Sequence, residues 1–362
     1  MKRRSRSRRR SHRSSSRPRI GLSNGIVLVA IAIAVLVAGS VYMRGPGKEG
    51  AGAPRKPAVY RVSLNGPFRS KYAGEIVAAR AGLFDREKLD IDLKADDGTN
   101  TIGSVVSGKS AFGVTDSISF LQARAKGEPI VAFGAGYLEQ SIVFYALDKS
   151  GIHAPQDFIG KRTGRRPDTH SAIIYDALLK DTGLSRSQTL ETSKETDLDA
   201  LLNGKVDVIP GHVGQEAFLL HQKGIGYNVV RISDYGIHVP DTVYFTTEKM
   251  IRDWPSVVQR FLEGVISGWR MTYADTSKSI PLIVEASGNR LTPEQVKFEL
   301  AAQRDFVKPL GRRFAEFDDR QWEQLRNILV NARKLDDSID LSRAINYDFL
   351  KEAYRKSIFF GN

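Results

Sequence analysis

The chain has 362 residues, 41% of them hydrophobic and 26% charged, and no cysteine. That length and balance suit a body with two globular lobes, and the missing cysteine excludes disulfides, thiol chemistry and a lipid-modified cysteine anchor. The net charge of +13 would suggest a nucleic-acid partner, but residues 1–19 hold ten Lys/Arg and no acid. Without those ten and Arg44, the 54 basic residues fall to 43 against 41 acidic, so the body is nearly neutral and no nucleic-acid role is expected.

Residues 1–19 read as a basic cytoplasmic tail or the n-region of a signal, and the uncharged stretch 20–43 as a transmembrane anchor or signal h-region. Its length suffices for a bilayer of about 30 Å at about 1.5 Å per residue. Ala38-Gly39-Ser40 equally supplies the small residues of a cleavage site, so anchor and signal both stand. Either way the body is expected outside the cytoplasm, in the periplasm or at the outer face of the cytoplasmic membrane. Residues 44–58 have the Gly and Pro content of a flexible linker.

Residues 60–64 alternate like a strand and run into Asn65-Gly66-Pro67. Tyr72, Ile76, Ala79 and Leu83 then recur at helical spacing, and residues 91–95 form a second strand. Strands at 111–114 and 130–133 alternate with helices, which predicts a mainly parallel, helix-covered α/β sheet. A second series starts near Arg162, continues through a polar loop at 165–171 and a helix on Ile173, Ile174 and Leu178, and includes a strand at 228–232. Beyond Asp241 the pattern is helical, at 257–273, 293–306, 320–332 and 347–354, and these helices are expected to pack on the first lobe.

One unit occurs twice. Val105-Val106-Ser107-Gly108-Lys109 leads through an apolar strand to Asp116, and Leu201-Leu202-Asn203-Gly204-Lys205 leads in the same way to His212. Each copy reads as a helix end, a Gly-Lys turn, a strand and a polar residue at the strand's C-terminal edge. Open α/β sheets bind ligands at such edges, so Asp116 and His212 are expected to face one another across a cleft.

The block from Tyr72 through Ala81-Gly82-Leu83-Phe84 to Leu93, followed by Ser107-Gly108-Lys109-Ser110-Ala111-Phe112-Gly113-Val114 and Ala123-Arg124-Ala125-Lys126-Gly127-Glu128-Pro129-Ile130, resembles the NMT1/THI5-like proteins. These include receptors of ABC importers for nitrate, sulfonates, taurine and thiamine-precursor pyrimidines. The resemblance covers about residues 60–275. It implies a type II periplasmic-binding-protein fold, with lobe 1 at 59–148 and 243–362, lobe 2 at 149–242, and hinge crossings near 145–150 and 237–244. It implies a small polar or anionic solute as ligand, a membrane ABC permease as partner, a monomer, and no metal or cofactor. A membrane-anchored sensor is the alternative, and a pyrimidine-synthase-like enzyme a further one. Fungal synthases of this family carry a cysteine-rich stretch, so this cysteine-free chain is expected not to be an enzyme. No Lys-Ser/Thr phosphate loop or nucleophile elbow stands against that reading.

The expected ligand-binding residues fall in five groups. Phe68, Lys71 and Tyr72 offer an aromatic wall and a cation, or simply begin a helix. Gly98 and Thr99, like Asp116 and Ser117, open helices at strand edges, where they serve a ligand or merely cap. Arg165, Thr169, His170 and Ser171, beside Arg166, offer bidentate anion contacts at a helix start, or form a solvated basic loop. His212 and Glu216 lie one turn apart at the repeat's second edge, where a satisfied histidine is a better account than half a metal site. Tyr137 and Tyr235 follow apolar strands as lining or as packing residues.

Overall fold

The computed structural model describes residues 58–95 and 100–359. The tail, the apolar stretch at 20–43, the linker up to residue 57 and the candidates Gly98 and Thr99 lie outside the described residues. Among the described residues no helix is long and apolar enough to cross a membrane.

The first half contains β1 (Val59–Leu64), α1 (Ala73–Arg80), α2 (Leu83–Arg86), β2 (Asp90–Ala95), α3 (Thr101–Val106), β3 (Phe112–Asp116), α4 (Ser117–Ala125) and β4 (Ile130–Ala135). Then come β5 (Ile142–Leu147), β6 (Arg162–Gly164), α5 (His170–Asp181), β7 (Leu190–Thr192), α6 (Leu198–Leu202), β8 (Ile209–His212), α7 (Gln215–Gln222) and β9 (Tyr227–Val230). The chain ends with β10 (Thr242–Thr247), α8 (Glu248–Asp253), α9 (Pro255–Ala274), α10 (Thr276–Ala286), α11 (Pro293–Val307), α12 (Asp319–Asn331) and α13 (Asp348–Phe359).

Two lobes follow. The first sheet has the order β2-β1-β3-β10-β4, with β10 antiparallel to both of its neighbours. The second is built of β8-β5-β9 and β6-β7, joined by a bridge between Thr163 and Val208. Here β5 is antiparallel to β8 and β9. Each lobe thus holds parallel strands and one reversed strand, and the reversed strand is the one just arrived from the other lobe. The repeat occupies the same place twice, since β3 lies between β1 and β10, and β8 lies between β6 and β5.

Pairing of β5 with β8 and β9 puts the first crossing at residues 136–141, earlier than the expected 145–150. Residues 142–147 are a strand buried throughout, and a strand this apolar needs cover on both faces. The return crossing ends at Asp241, the residue before β10.

α9 closes the first lobe. It crosses α1 where Gly268 meets Gly74, so closely that a β-carbon on Gly268 would lie 2.0 Å from the Gly74 carbonyl oxygen. Phe261 stacks on Phe112 at 4.1 Å between ring centroids, and Trp269 donates its Nε1–H to the Tyr244 hydroxyl at 2.8 Å. The later helices do more than cover this lobe. Phe298 on α11 stacks on His221 of α7 at 5.1 Å, and Lys334 after α12 pairs with Asp168 at 2.7 Å, so these elements brace the second lobe as well.

Candidate ligand-binding site

Asp116 and His212, the last residues of β3 and β8, line one cleft of about 500 Å³ between the lobes. Ile118, Ile142 and Pro210 supply its apolar walls.

On the first-lobe side, Asp116 caps α4 by accepting from Ser119 N–H at 2.7 Å, and accepts from Asn65 Nδ2 at 3.3 Å. Its Oδ1 also stands 3.2 Å from Nδ1 of His170, the first residue of α5 in the other lobe. Asp116 thus caps a helix and lines the cleft at once.

The crossings supply a second polar group. Asp241 is buried, and its Oδ2 lies 3.5 Å from Lys71 Nζ and accepts the Ser141 hydroxyl. Ser141 Oγ is in turn 3.2 Å from His212 Nδ1. A hydroxyl has one proton, so Ser141, donating to Asp241, accepts from His212 Nδ1–H and leaves the other ring nitrogen as an acceptor. The cleft walls desolvate the imidazolium form and Lys71 repels it, which holds the His212 pKa below its ordinary value. Burial alone would raise Asp241 and lower Lys71, but their attraction outweighs it. Asp241 is held below the usual carboxylate value and Lys71 above the usual amine value, so the pair is ionised at neutral pH.

The third group is the α5 N-terminus. Thr169 Oγ1 accepts from Ala172 N–H at 3.3 Å and lies 3.0 Å from Ser171 Oγ, while Arg166 reaches Thr196 Oγ1 at 3.2 Å. These residues line the cleft together with the amide end of a helix, which carries partial positive charge. Glu216 accepts from His212 N–H at 2.9 Å, and burial raises its pKa. Gly211 makes this approach possible, since a β-carbon there would lie 2.7 Å from the Glu216 carboxyl carbon.

A side chamber of about 200 Å³ shares Asn65, Lys71 and His212 with the main cleft. Tyr72 and Tyr137 line this chamber rather than the main cleft, and Tyr137 donates to Gln303 at 2.7 Å. At its mouth Arg69 donates to Gln215 of the other lobe at 2.8 Å.

The structure does not bring four other candidates into the cleft lining. Phe68 packs half-buried against the core, and Tyr235 does so in the turn Ile232–Tyr235. Ser117 is buried, donating to the Pro240 carbonyl at 2.5 Å, and so fastens the return crossing. Arg165 is held bidentate by Asp176 at 2.9 and 2.6 Å, leaving its neighbour Arg166 in the cleft. Asn65, Gln140 and Asp241 also line the cleft and Ser141 the side chamber, outside the expected set. For Ser141 the signal is a polar residue immediately before a wholly apolar strand. Among the described residues no group of three or more His, Asp or Glu could hold a metal ion.

A two-lobed α/β body with a polar cleft at the hinge defines the periplasmic-binding-protein fold. Solved structures agree. The aliphatic sulphonate binding protein SsuA of Escherichia coli matches with a TM-score of 0.66 at 16% identity, over 80% of this chain and 92% of that one. The alkanesulfonate-binding SsuA of Xanthomonas axonopodis matches at 0.59 and 15%, over 81% and 99%. The NMT1/THI5 like family model matches residues 69–279, and the chain belongs to that family. A curated relative from Legionella pneumophila, 23% identical over 76% of this chain and 87% of its own length, is named 4-amino-5-hydroxymethyl-2-methylpyrimidine phosphate synthase. A relative of the same name from Schizosaccharomyces pombe is 28% identical over 39% of this chain and 40% of its own. These names overturn the expectation, drawn from the missing cysteine, that the chain is not an enzyme. Within this family a synthase name extends to sequences with which the cysteine-free chain shares most of its length.

Proposed function

We propose that the cleft binds a small aminopyrimidine bearing a hydroxymethyl or phosphate group, of the kind named in the curated relatives. The observation that carries this reading is the separation of charge across one cleft. Asp116 and Asp241 accept hydrogen bonds on one side, which suits an exocyclic amine or a protonated ring nitrogen. Arg166, Thr169, Ser171 and the α5 amides face them, which suits a hydroxyl or phosphate. Ile118, Ile142 and Pro210 match the flat apolar faces of the ring.

In this reading the protein works outside the cytoplasm as a hinge-closing receptor that delivers its ligand to an ABC permease. The sulfonate-binding neighbours support it, since their fold is shared over most of the chain. A second reading, supported by the names of the curated relatives, is synthesis of the pyrimidine phosphate in the same cleft. Titration calorimetry of the full chain with 4-amino-5-hydroxymethyl-2-methylpyrimidine, its phosphate and an alkanesulfonate tests the ligand class. Saturable heat with the pyrimidines alone supports it, and heat with the sulfonate alone refutes it. Release of the unchanged pyrimidine on dilution marks the receptor.

A further inference from the structure

The first lobe carries a face on which cations rest on aromatic rings. Tyr273 and Phe314 stack at 6.1 Å between centroids, with Arg304 over Tyr273 at 5.6 Å and Lys308 over Phe314 at 5.9 Å. Arg313 lies over Tyr354 at 4.2 Å and Arg270 over the same ring at 5.7 Å. From this face a tight turn projects. Arg312 N–H donates to the Pro309 carbonyl at 3.1 Å, and Gly311 takes φ +78°, the conformation a type II turn requires there. At the apex Leu310 is 102% exposed, the most exposed large apolar side chain among the described residues.

The charges on this face are only partly cancelled, since Arg312 of the turn pairs with Asp318 at 3.1 Å while other cations on the face have no such partner among the described residues. Glu316 pairs with Arg313 at 2.8 Å and Asp305 adjoins Arg304, whereas Arg270 and Lys308 rest on rings. A cation on a ring keeps its full charge and donors for another acceptor. A leucine on a convex apex suits a soft apolar boundary, whereas a protein partner would need a matching pocket.

We infer that this face docks on an anionic phospholipid surface, with Leu310 entering the acyl boundary and Arg270, Arg304 and Lys308 engaging headgroup phosphates. Single-leucine insertion combined with several interfacial cations gives reversible docking, each cation near the surface contributing roughly fivefold in partitioning. The biological setting rests on the outer-face location proposed above, but the test depends neither on that location nor on the cleft ligand.

The chain has no cysteine, so Leu310→Cys carries one environment-sensitive fluorophore, and Leu190→Cys, exposed on the second lobe, serves as the control. The labelled full chains are mixed with preformed vesicles of phosphatidylglycerol with phosphatidylcholine, or of phosphatidylcholine alone. The expected result is blue-shifted emission at position 310, quenched by spin-labelled lipid, in the phosphatidylglycerol vesicles and not at position 190. Combining the label with Arg270→Gln, Arg304→Gln and Lys308→Gln should lower the inserted fraction by on the order of fivefold for each charge removed. A probe at 310 that stays in water, or one that inserts equally in phosphatidylcholine, overturns the inference. So does insertion that the triple variant leaves unchanged. Matching circular dichroism establishes that the variants fold alike.

Discussion

His170 Nδ1 stands 3.2 Å from Asp116 Oδ1, and the two residues come from opposite lobes. A partly exposed polar contact of this kind contributes roughly 0.5–1 kcal/mol, enough to bias a hinge without locking it. The contact holds the two edges of the cleft together in this conformation. Asp116→Asn and His170→Gln should each weaken binding of 4-amino-5-hydroxymethyl-2-methylpyrimidine, and the double variant should lose less than the sum of the two. A double-mutant cycle by calorimetry measures this coupling, and strictly additive losses would show that the pair does not act as a latch.

Lys71 and Asp241 form the pair at the hinge itself. Lys71→Met leaves a buried carboxylate with the Ser141 hydroxyl as its remaining partner, at a cost of about 2 kcal/mol after allowing for the partial exposure of Lys71. The pH dependence has a definite sign. A folded-state pKa below the unfolded one gives stability that is present above the unfolded value and lost as pH falls through the folded one. Without Lys71 the folded value rises, so that contribution disappears at a higher pH. Urea unfolding of both proteins across the acidic range should show the variant's deficit at neutral pH and its closing under acid.

Glu75, in the first turn of α1, is fully buried, and neither carboxylate oxygen holds a hydrogen bond of good geometry. Burial raises its pKa from 4.5 to about 7, opposed in part by its own backbone, the Tyr244 hydroxyl and Lys71. Between those two values the unfolded chain has released the proton while the folded one keeps it. Stability is therefore lost as pH rises from 4.5 to about 7, by roughly 3 kcal/mol in total, and levels off above. In Glu75→Gln this term is absent, so the stability difference between variant and parent should move in the variant's favour across that window. A difference that stays flat with pH would place the ionisation elsewhere.

How far the sequence disclosed the site depends on how local each signal was. The repeat was legible because a strand ending in one polar residue is written in consecutive positions, and Asp116 and His212 do meet at one cleft. The choice between Arg165 and Arg166 was not, because neighbouring residues point in different directions. Here the decision is made by Asp176, nearly two turns into α5, which captures Arg165. Ser141 and Asp241 were missed for a related reason. Each is an ordinary crossing residue until the fold brings them together with Lys71 and His212. The expected aromatic wall likewise gave way to aliphatic residues, because Tyr72 turns into the side chamber and Phe68 into the core. The C-terminal helices read correctly as helices, but amphipathic spacing does not say how many partners a face has, and α11 also touches α7.

Gly268 and Gly108 separate two reasons for glycine. Gly108 ends the repeat's first helix at φ +75° with open space around it, so Gly108→Ala meets only conformational cost, about 1 kcal/mol. Gly268 sits within α9, where alanine is otherwise the better helix former, but its β-carbon would meet the Gly74 carbonyl oxygen at 2.0 Å and the Ala78 methyl at 2.9 Å. Backbone cannot rotate away, so α1 and α9 must separate, at a cost of about 3 kcal/mol or more. The turn Ser70–Tyr72 runs directly into α1 and carries Lys71, so the displacement also reaches the cleft. Gly268→Ala should therefore lower both the unfolding free energy and the pyrimidine affinity, while Gly108→Ala lowers the first slightly and leaves the second unchanged. Urea titrations paired with calorimetry read both quantities, and equal affinities in the two variants would show that the helix crossing does not position Lys71.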